Sequence, residues 1–173
     1  MSFRDLTTGL LLFVLAGCGR SFEIKDAAYA PLVRVEEATD KLFHDGAKTT
    51  ILGTIYVTDL DVFIERYPEG SVQRDALFRH EQVHSTRQWT YPGTPGLWLV
   101  RYGIDSDFRW EEEKAGWEQE IKVLVKAGEG VDIDRVARAM NENYRSPAGG
   151  RMVSFEDALA WVRATVDAAS RAP

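Results

Sequence analysis

Two histidines and a glutamate in the segment FRHEQVHSTRQW, residues 78–89, have the spacing of a metal site. Positions i and i+4 lie on one face of a helix, so the imidazoles of His80 and His84 can reach the same tetrahedral Zn²⁺ ion. Glu81 would lie beside the metal, where a carboxylate can take a proton from water and pass it to a leaving amine. The pattern predicts one zinc ion per chain, with Glu81 as a general base. A polar helix surface that matches the spacing by chance is the alternative.

A catalytic zinc site needs a third protein ligand and keeps its fourth position for water. The remaining histidine, His44 in KLFHDG, is interpreted as a loop residue. Glutamates cluster downstream in FRWEEEKAGWEQE, residues 108–120. Glu113 lies near the apolar stripe of the predicted helix there, whereas Glu112 belongs to a second face that could meet the HExxH helix. The alternative is that all three consecutive glutamates are solvated charge.

The two motifs together resemble the gluzincins, zinc peptidases of the zincin group whose third ligand is a glutamate on a second helix. In that family a small residue follows the ligand by three positions and is often followed by Asp. Glu112 and Ala115 fit that spacing, with Gly116 at the position of the Asp. The resemblance therefore implies Glu112 as the third ligand, ahead of Glu113 and then Glu111. It also implies hydrolysis of a peptide bond in a peptide or protein substrate.

The helix motif continues to Gln88, and H-E-x-x-H-x-x-x-Q resembles that of small bacterial zincin-like proteins over about residues 48–125. Gln88 is interpreted either as a contact to a metal ligand or substrate, or as a helix-surface residue. The resemblance implies that the strand KTTILGTIYV, residues 48–57, is an edge strand that pairs with a peptide substrate. A simple sheet strand, with Gly53 marking a bulge, is equally consistent. Tyr102, Arg101 and Tyr144 are candidate transition-state stabilisers, and none is assigned.

The N-terminal sequence MSFRDLTTGLLLFVLAGC is typical of a targeting segment, with Arg4 before a short apolar run. Its end resembles a bacterial lipobox, which implies a signal peptide over residues 1–17 and a lipid on the thiol of Cys18. We expect a tether over 18–30 and one zincin-like domain over 31–173. The resemblance also implies anchoring in the bacterial cell envelope on the periplasmic side, and Gly19 favours the outer membrane.

The net charge and the spacing of apolar residues indicate which partners and which fold class fit the sequence. The net charge of −6 argues against a nucleic-acid partner, which requires a basic face. Helices are predicted over about 72–89, 107–127 and 132–144, and a last one opens at Ser154. The fold class is therefore α+β, mostly helical, with a small sheet beside the HExxH helix. Two alternatives stay open: a non-catalytic zinc-binding or scaffold lipoprotein of the envelope, and an interaction module whose HExxH sequence is coincidental.

Overall fold

The computed structural model describes residues 19–38, 48–146 and 148–172. The strands are β1 (Ser21–Glu23), β2 (Arg34–Glu37), β3 (Lys48–Ile51) and β4 (Thr54–Val57). The helices are α1 (Leu60–Arg66), α2 (Val72–Thr90), α3 (Pro95–Ile104), α4 (Ser106–Lys126), α5 (Ile133–Asn143) and α6 (Phe155–Arg171), with a 3-10 turn at Ala27–Tyr29. The predicted fold class, a mostly helical α+β protein with a small sheet, is confirmed.

The four strands form one sheet in the order β1-β2-β4-β3. The β2–β4 pair is parallel and the two outer pairs are antiparallel. The predicted single strand over 48–57 is a hairpin, because Leu52 and Gly53 both have positive φ values, 50° and 89°, and form a two-residue turn. Gly53 therefore marks a turn and not a bulge. As predicted, β3 is an edge strand beside the HExxH helix.

The helix boundaries follow capping signals in the sequence. Ser71 caps α2 by accepting from the Arg74 N–H, and Asp132 caps α5. Ser154 caps α6 by accepting from the Asp157 N–H, and its hydroxyl donates to the Asp157 carboxylate, so the predicted start of that helix is confirmed. The predicted helices over 72–89, 107–127 and 132–144 are confirmed within one residue at each end. Helices α1 and α3 were not predicted.

Two hydrophobic clusters flank the HExxH helix. The first joins the sheet to α1 and α2, and the second joins α4, α5 and α6. The first contains Leu32, Val35, Ile55, Val57, Leu60, Phe63, Leu77 and Phe78, and the second contains Ile121, Val136, Ala137, Met140, Ala158 and Val162. Helix α2 packs on the first cluster and faces α4, so polar residues on its α4 side lie between the two clusters.

Residues 19–30, predicted as a tether, contribute to the fold. Strand β1 pairs with β2 in register Phe22↔Val35. The Tyr29 ring contacts Phe78 edge-to-face at 5.1 Å, and its hydroxyl donates to Asp75 at 2.9 Å. Apolar residues in this short segment gain more from covering the sheet and α2 than from staying in water. Residues 21–23 and 27–29 of the predicted tether are therefore part of the folded domain.

Candidate metal centre

The HExxH residues lie on the buried side of α2. His80, Glu81 and His84 are each about 5–6% exposed, and Leu77 and Gln88 on the same face are also buried. Helix positions i, i+4 and i+8 project to the same side, so His80, His84 and Gln88 all face the interior although the helix is largely polar. The predicted common face of α2 is confirmed.

Glu113 of α4 completes a group of three side chains that could hold a metal ion. Its oxygens lie 3.8 Å from His80 Nε2 and 3.9 Å from His84 Nε2. These distances are too long for hydrogen bonds, yet two ligands of one tetrahedral zinc ion are separated by roughly 3.4 Å. One ligand atom from each residue lies within 4.8 Å of the others, and all three residues are buried. Two imidazoles and a carboxylate are a donor set that suits Zn²⁺.

The structure brings Glu113 to the two histidines, and not Glu112, which was the predicted third ligand. Glu112 Oε1 accepts from Arg87 at 3.0 Å, and Glu111 is exposed and paired with Lys114. Successive residues on a helix point about 100° apart, so only one of three adjacent glutamates can face the histidines. The apolar stripe of α4 favoured Glu113 already in the sequence, while the family spacing favoured Glu112.

Gly116 is the small residue that permits the close approach of α4 to α2. A Cβ atom at this position would lie 2.6 Å from His80 Cδ2 and Nε2. It follows Glu113 by three positions, so the ligand-to-small-residue spacing is kept one residue later than predicted. Ala115, the small residue expected with Glu112, does not have this role.

Glu120 is a further site residue that the sequence reasoning missed. Its Oε2 lies 3.0 Å from His80 Nδ1, so it can accept from the imidazole N–H while Nε2 faces Glu113. A carboxylate in this position fixes the tautomer and the ring orientation of a ligand histidine. The family pattern often has Asp at the position that Gly116 takes here, whereas Glu120 lies seven residues after Glu113 on the same helix face. That seven-residue spacing was the available signal.

Burial and neighbouring charges shift the pKa values of these groups in different directions. Burial lowers the pKa of His84. Burial also acts to lower the pKa of His80, but the carboxylates of Glu113 and Glu120 outweigh it and raise the pKa to about 10. Burial opposes ionisation of Glu113, but the two histidines outweigh it and lower the pKa to about 2. In the metal-free protein His80 and Glu113 therefore form a charged pair.

Glu81 is connected to the edge strand. Thr50 Oγ1 of β3 donates to Glu81 Oε2 at 2.5 Å, and both residues are buried. Gln88 Nε2 donates to the Thr50 carbonyl at 2.8 Å, while Gln88 Oε1 accepts from the Leu52 N–H at 2.7 Å. Gln88 thus holds the hairpin against α2, and it is neither a helix-surface residue nor a contact to a metal ligand.

Aromatic side chains surround the group of His80, His84 and Glu113. The Tyr102 hydroxyl contacts Glu113 Oε1, and its ring stacks on Trp98 at 4.8 Å. Trp117 packs edge-to-face on His80 at 5.3 Å and donates from Nε1 to the Tyr144 hydroxyl at 2.9 Å. Burial and the charge of Glu113 raise the pKa of both tyrosines above the ordinary value, so both phenols stay protonated. Two of the three candidate stabilisers therefore lie at the site.

The other predicted residues lie elsewhere. Arg101, the third candidate stabiliser, binds Asp105 and Tyr91 at the surface. Cys18, the signal peptide over 1–17 and His44 lie outside the described residues.

No protein-family model, curated protein or solved structure matches the chain. Within the described residues, no helix is both long and apolar enough to span a membrane.

Proposed function

We propose that this chain is a zinc-dependent metallopeptidase in which His80, His84 and Glu113 hold one Zn²⁺ ion. The observation that carries the proposal is the convergence of two imidazole Nε2 atoms on one buried carboxylate at 3.8 and 3.9 Å. Glu81 follows His80 directly and lies on the same side of α2. The zincin-like fold belongs to the same proposal and is supported by the motif helix, the second ligand helix and the adjoining edge strand.

The residues of the chain have separate roles in this reaction. When bound, zinc polarises the scissile carbonyl and lowers the pKa of water at the site. Glu81 accepts the proton of the attacking water and transfers it to the departing amine. Thr50 fixes one carboxylate oxygen of Glu81 and leaves Oε1 for this proton. The phenol of Tyr144, held by Trp117, is a donor that can stabilise the developing negative charge on the substrate.

The substrate and location are proposed together. A peptide or protein segment would bind in extended form along β3, toward Lys48, because Gln88 already occupies the Thr50 carbonyl and the Leu52 N–H. The lipobox-like sequence supports a lipid on Cys18 and a position on the periplasmic side of a bacterial envelope, in the outer membrane. The net charge of −6 supports the absence of a nucleic-acid partner.

A second candidate function is zinc binding without catalysis, as in an envelope scaffold. It is favoured by the burial of His80, His84 and Glu113, which are 6%, 6% and 3% exposed. It is also favoured by the Tyr102 hydroxyl, which already contacts Glu113. A catalytic site must admit substrate and water to the metal, whereas a structural site is closed.

The test begins with zinc content. We expect about one zinc per chain in the purified protein, and loss of zinc in His84→Ala and Glu113→Ala. Glu81→Gln should keep the zinc and abolish hydrolysis of a mixed peptide library that the parent cleaves. Zinc binding without hydrolysis by the parent would favour the non-catalytic candidate. A parent that binds no zinc after reconstitution would overturn both.

A further inference from the structure

The second ring nitrogen of His84 needs a hydrogen-bond acceptor. Its Nε2 faces Glu113, so in a metal-bound imidazole the proton is on Nδ1. The Nδ1 atom is buried and has no hydrogen-bond partner among the described residues. His80, in contrast, has Glu120 at its Nδ1. Because buried polar atoms in native proteins nearly all have partners, the Nδ1 of His84 indicates an interaction that involves more than direct protein contacts.

Glu112 has an unused acceptor in the same region. Its Oε1 accepts from Arg87, while its Oε2 is buried and has no hydrogen-bond partner among the described residues. The side chain is only 6% exposed. Arg87 lies three residues after His84 on α2, so the Arg87–Glu112 pair joins α4 to the turn of α2 that follows His84.

Trp98 of α3 supplies a second donor there. Its Nε1 is likewise buried and without a hydrogen-bond partner in the described part of the chain. The Trp98 ring lies 6.3 Å from His84 and 5.9 Å from Phe108, which is one turn before Glu112 on α4. Two donors and one acceptor therefore lie where α2, α3 and α4 meet. A water molecule can accept two hydrogen bonds and donate to the carboxylate, which would satisfy all three atoms.

We propose that Glu112 is the positioning residue of His84. One buried water accepts hydrogen bonds from His84 Nδ1 and Trp98 Nε1, and donates one to Glu112 Oε2. This inference rests on the proposed zinc site. A carboxylate at the outer nitrogen fixes the tautomer and orientation of a ligand histidine and strengthens it as a ligand. The two adjacent glutamates thus have different roles. Glu113 binds the metal, and Glu112 orients His84 as Glu120 orients His80.

The first test measures zinc affinity by chelator competition on the purified chain. Glu112→Gln should weaken zinc binding about 10–100-fold, the usual effect of losing an outer carboxylate. Glu111→Gln is the matched control, because this neighbour is exposed, and its zinc Kd should stay within about threefold of the parent. Arg87→Gln removes the ion pair that holds Glu112 Oε1 but keeps the carboxylate, so it should weaken zinc binding less than Glu112→Gln does. A loss in Glu111→Gln equal to that in Glu112→Gln would assign the effect to the general charge of α4 and overturn the inference.

The second test observes the imidazole N–H protons of the zinc-loaded protein by NMR. In the parent both the His80 and the His84 N–H should exchange slowly with solvent. Glu112→Gln should shift and speed the exchange of the His84 signal alone. Trp98→Phe, which keeps every charge, should shift the same signal and gives an independent reading should Glu112→Gln fold poorly. An unchanged His84 signal in both variants would overturn the inference.

The outcomes separate this inference from the proposed function. A parent that binds no zinc overturns the proposed metal site and this inference with it. A parent that binds zinc, with an unaltered zinc Kd in Glu112→Gln and an unaltered His84 N–H, overturns the role of Glu112 alone. Neither readout requires hydrolytic activity, so an inactive zinc-binding protein tests the inference equally well.

Discussion

Replacing Gly116 by alanine would test the closest approach between the two ligand helices. The added Cβ would lie 2.6 Å from Cδ2 and Nε2 of His80, whereas ordinary van der Waals contact begins at 3.4 Å. Either the ring or α4 must therefore move by at least about 0.8 Å, as those two distances require. The ring cannot simply rotate away, because its Nδ1 is held by Glu120 at 3.0 Å.

A displacement of this size is large for a metal ligand, since zinc sites keep ligand distances within about 0.2 Å. We expect Gly116→Ala to weaken zinc binding by at least about 10–100-fold, comparable to losing an outer-sphere carboxylate. The metal-free variant should also unfold at a lower temperature than the metal-free parent, because the buried contact has no space to relax.

Gly103→Ala is the matched control, because it lies in α3 and a Cβ there meets no atom within 4 Å. Alanine in a helix is favoured over glycine by about 0.5–1 kcal/mol, so this control should stabilise slightly and leave zinc binding unchanged. The assay is zinc affinity by chelator competition, together with thermal unfolding of the metal-free proteins. A zinc Kd in Gly116→Ala within threefold of the parent would show that the close helix contact has no part in the metal site.

Three other predictions concern the same centre. Glu120→Gln should weaken zinc binding about 10–100-fold by chelator competition, while Glu118→Gln on the outer side of the helix should not; equal values would contradict the role of Glu120 at His80. Thr50→Val should lower kcat at least about 10-fold without loss of zinc, because a hydrogen bond to the charged Glu81 is lost, and Thr50→Ser should restore it. The raised pKa of His80 stabilises the metal-free fold. This stabilisation is present in full below pH 6.5, the pKa of the unfolded chain, and it is lost as the pH rises toward about 10. The melting temperature of the metal-free protein should therefore fall as the pH rises through that range. A flat melting profile in EDTA would contradict the charged pair.

The sequence predicts the main helices well because their signals are local. Ser71, Asp132 and Ser154 cap helices whose apolar residues repeat at helical spacing, and both kinds of signal can be read within a few residues. Helix α3 is not predicted, because the prolines and glycines of residues 91–96 interrupt the helical pattern of the sequence. Its start depends on Thr94 as the cap and on Pro95 in the first turn.

The glutamate that faces the two histidines could not be chosen from the sequence, because the choice depends on how α4 is rotated against α2. That rotation is decided by the packing of α4 on α5 and α6 through residues such as Ile121, and by the notch at Gly116. The same limit applies to Thr50 and Glu120, whose contacts join segments 31 and 40 residues apart. Spacing within one helix could predict the HExxH pair, but not the partners from other elements.

The first described residues are held firmly against the folded domain by Arg20. The Arg20 carbonyl accepts from the Glu37 N–H at 2.8 Å, and its guanidinium binds both Glu37 and Asp61. Under the proposed lipid attachment at Cys18, only Gly19 would separate the lipidated residue from this network. A domain attached so close to a bilayer can reach only a small volume around its anchor. Its own dimensions would therefore set the height of the zinc site above the lipid. Such an enzyme would select substrates by their distance from the membrane, in addition to their sequence.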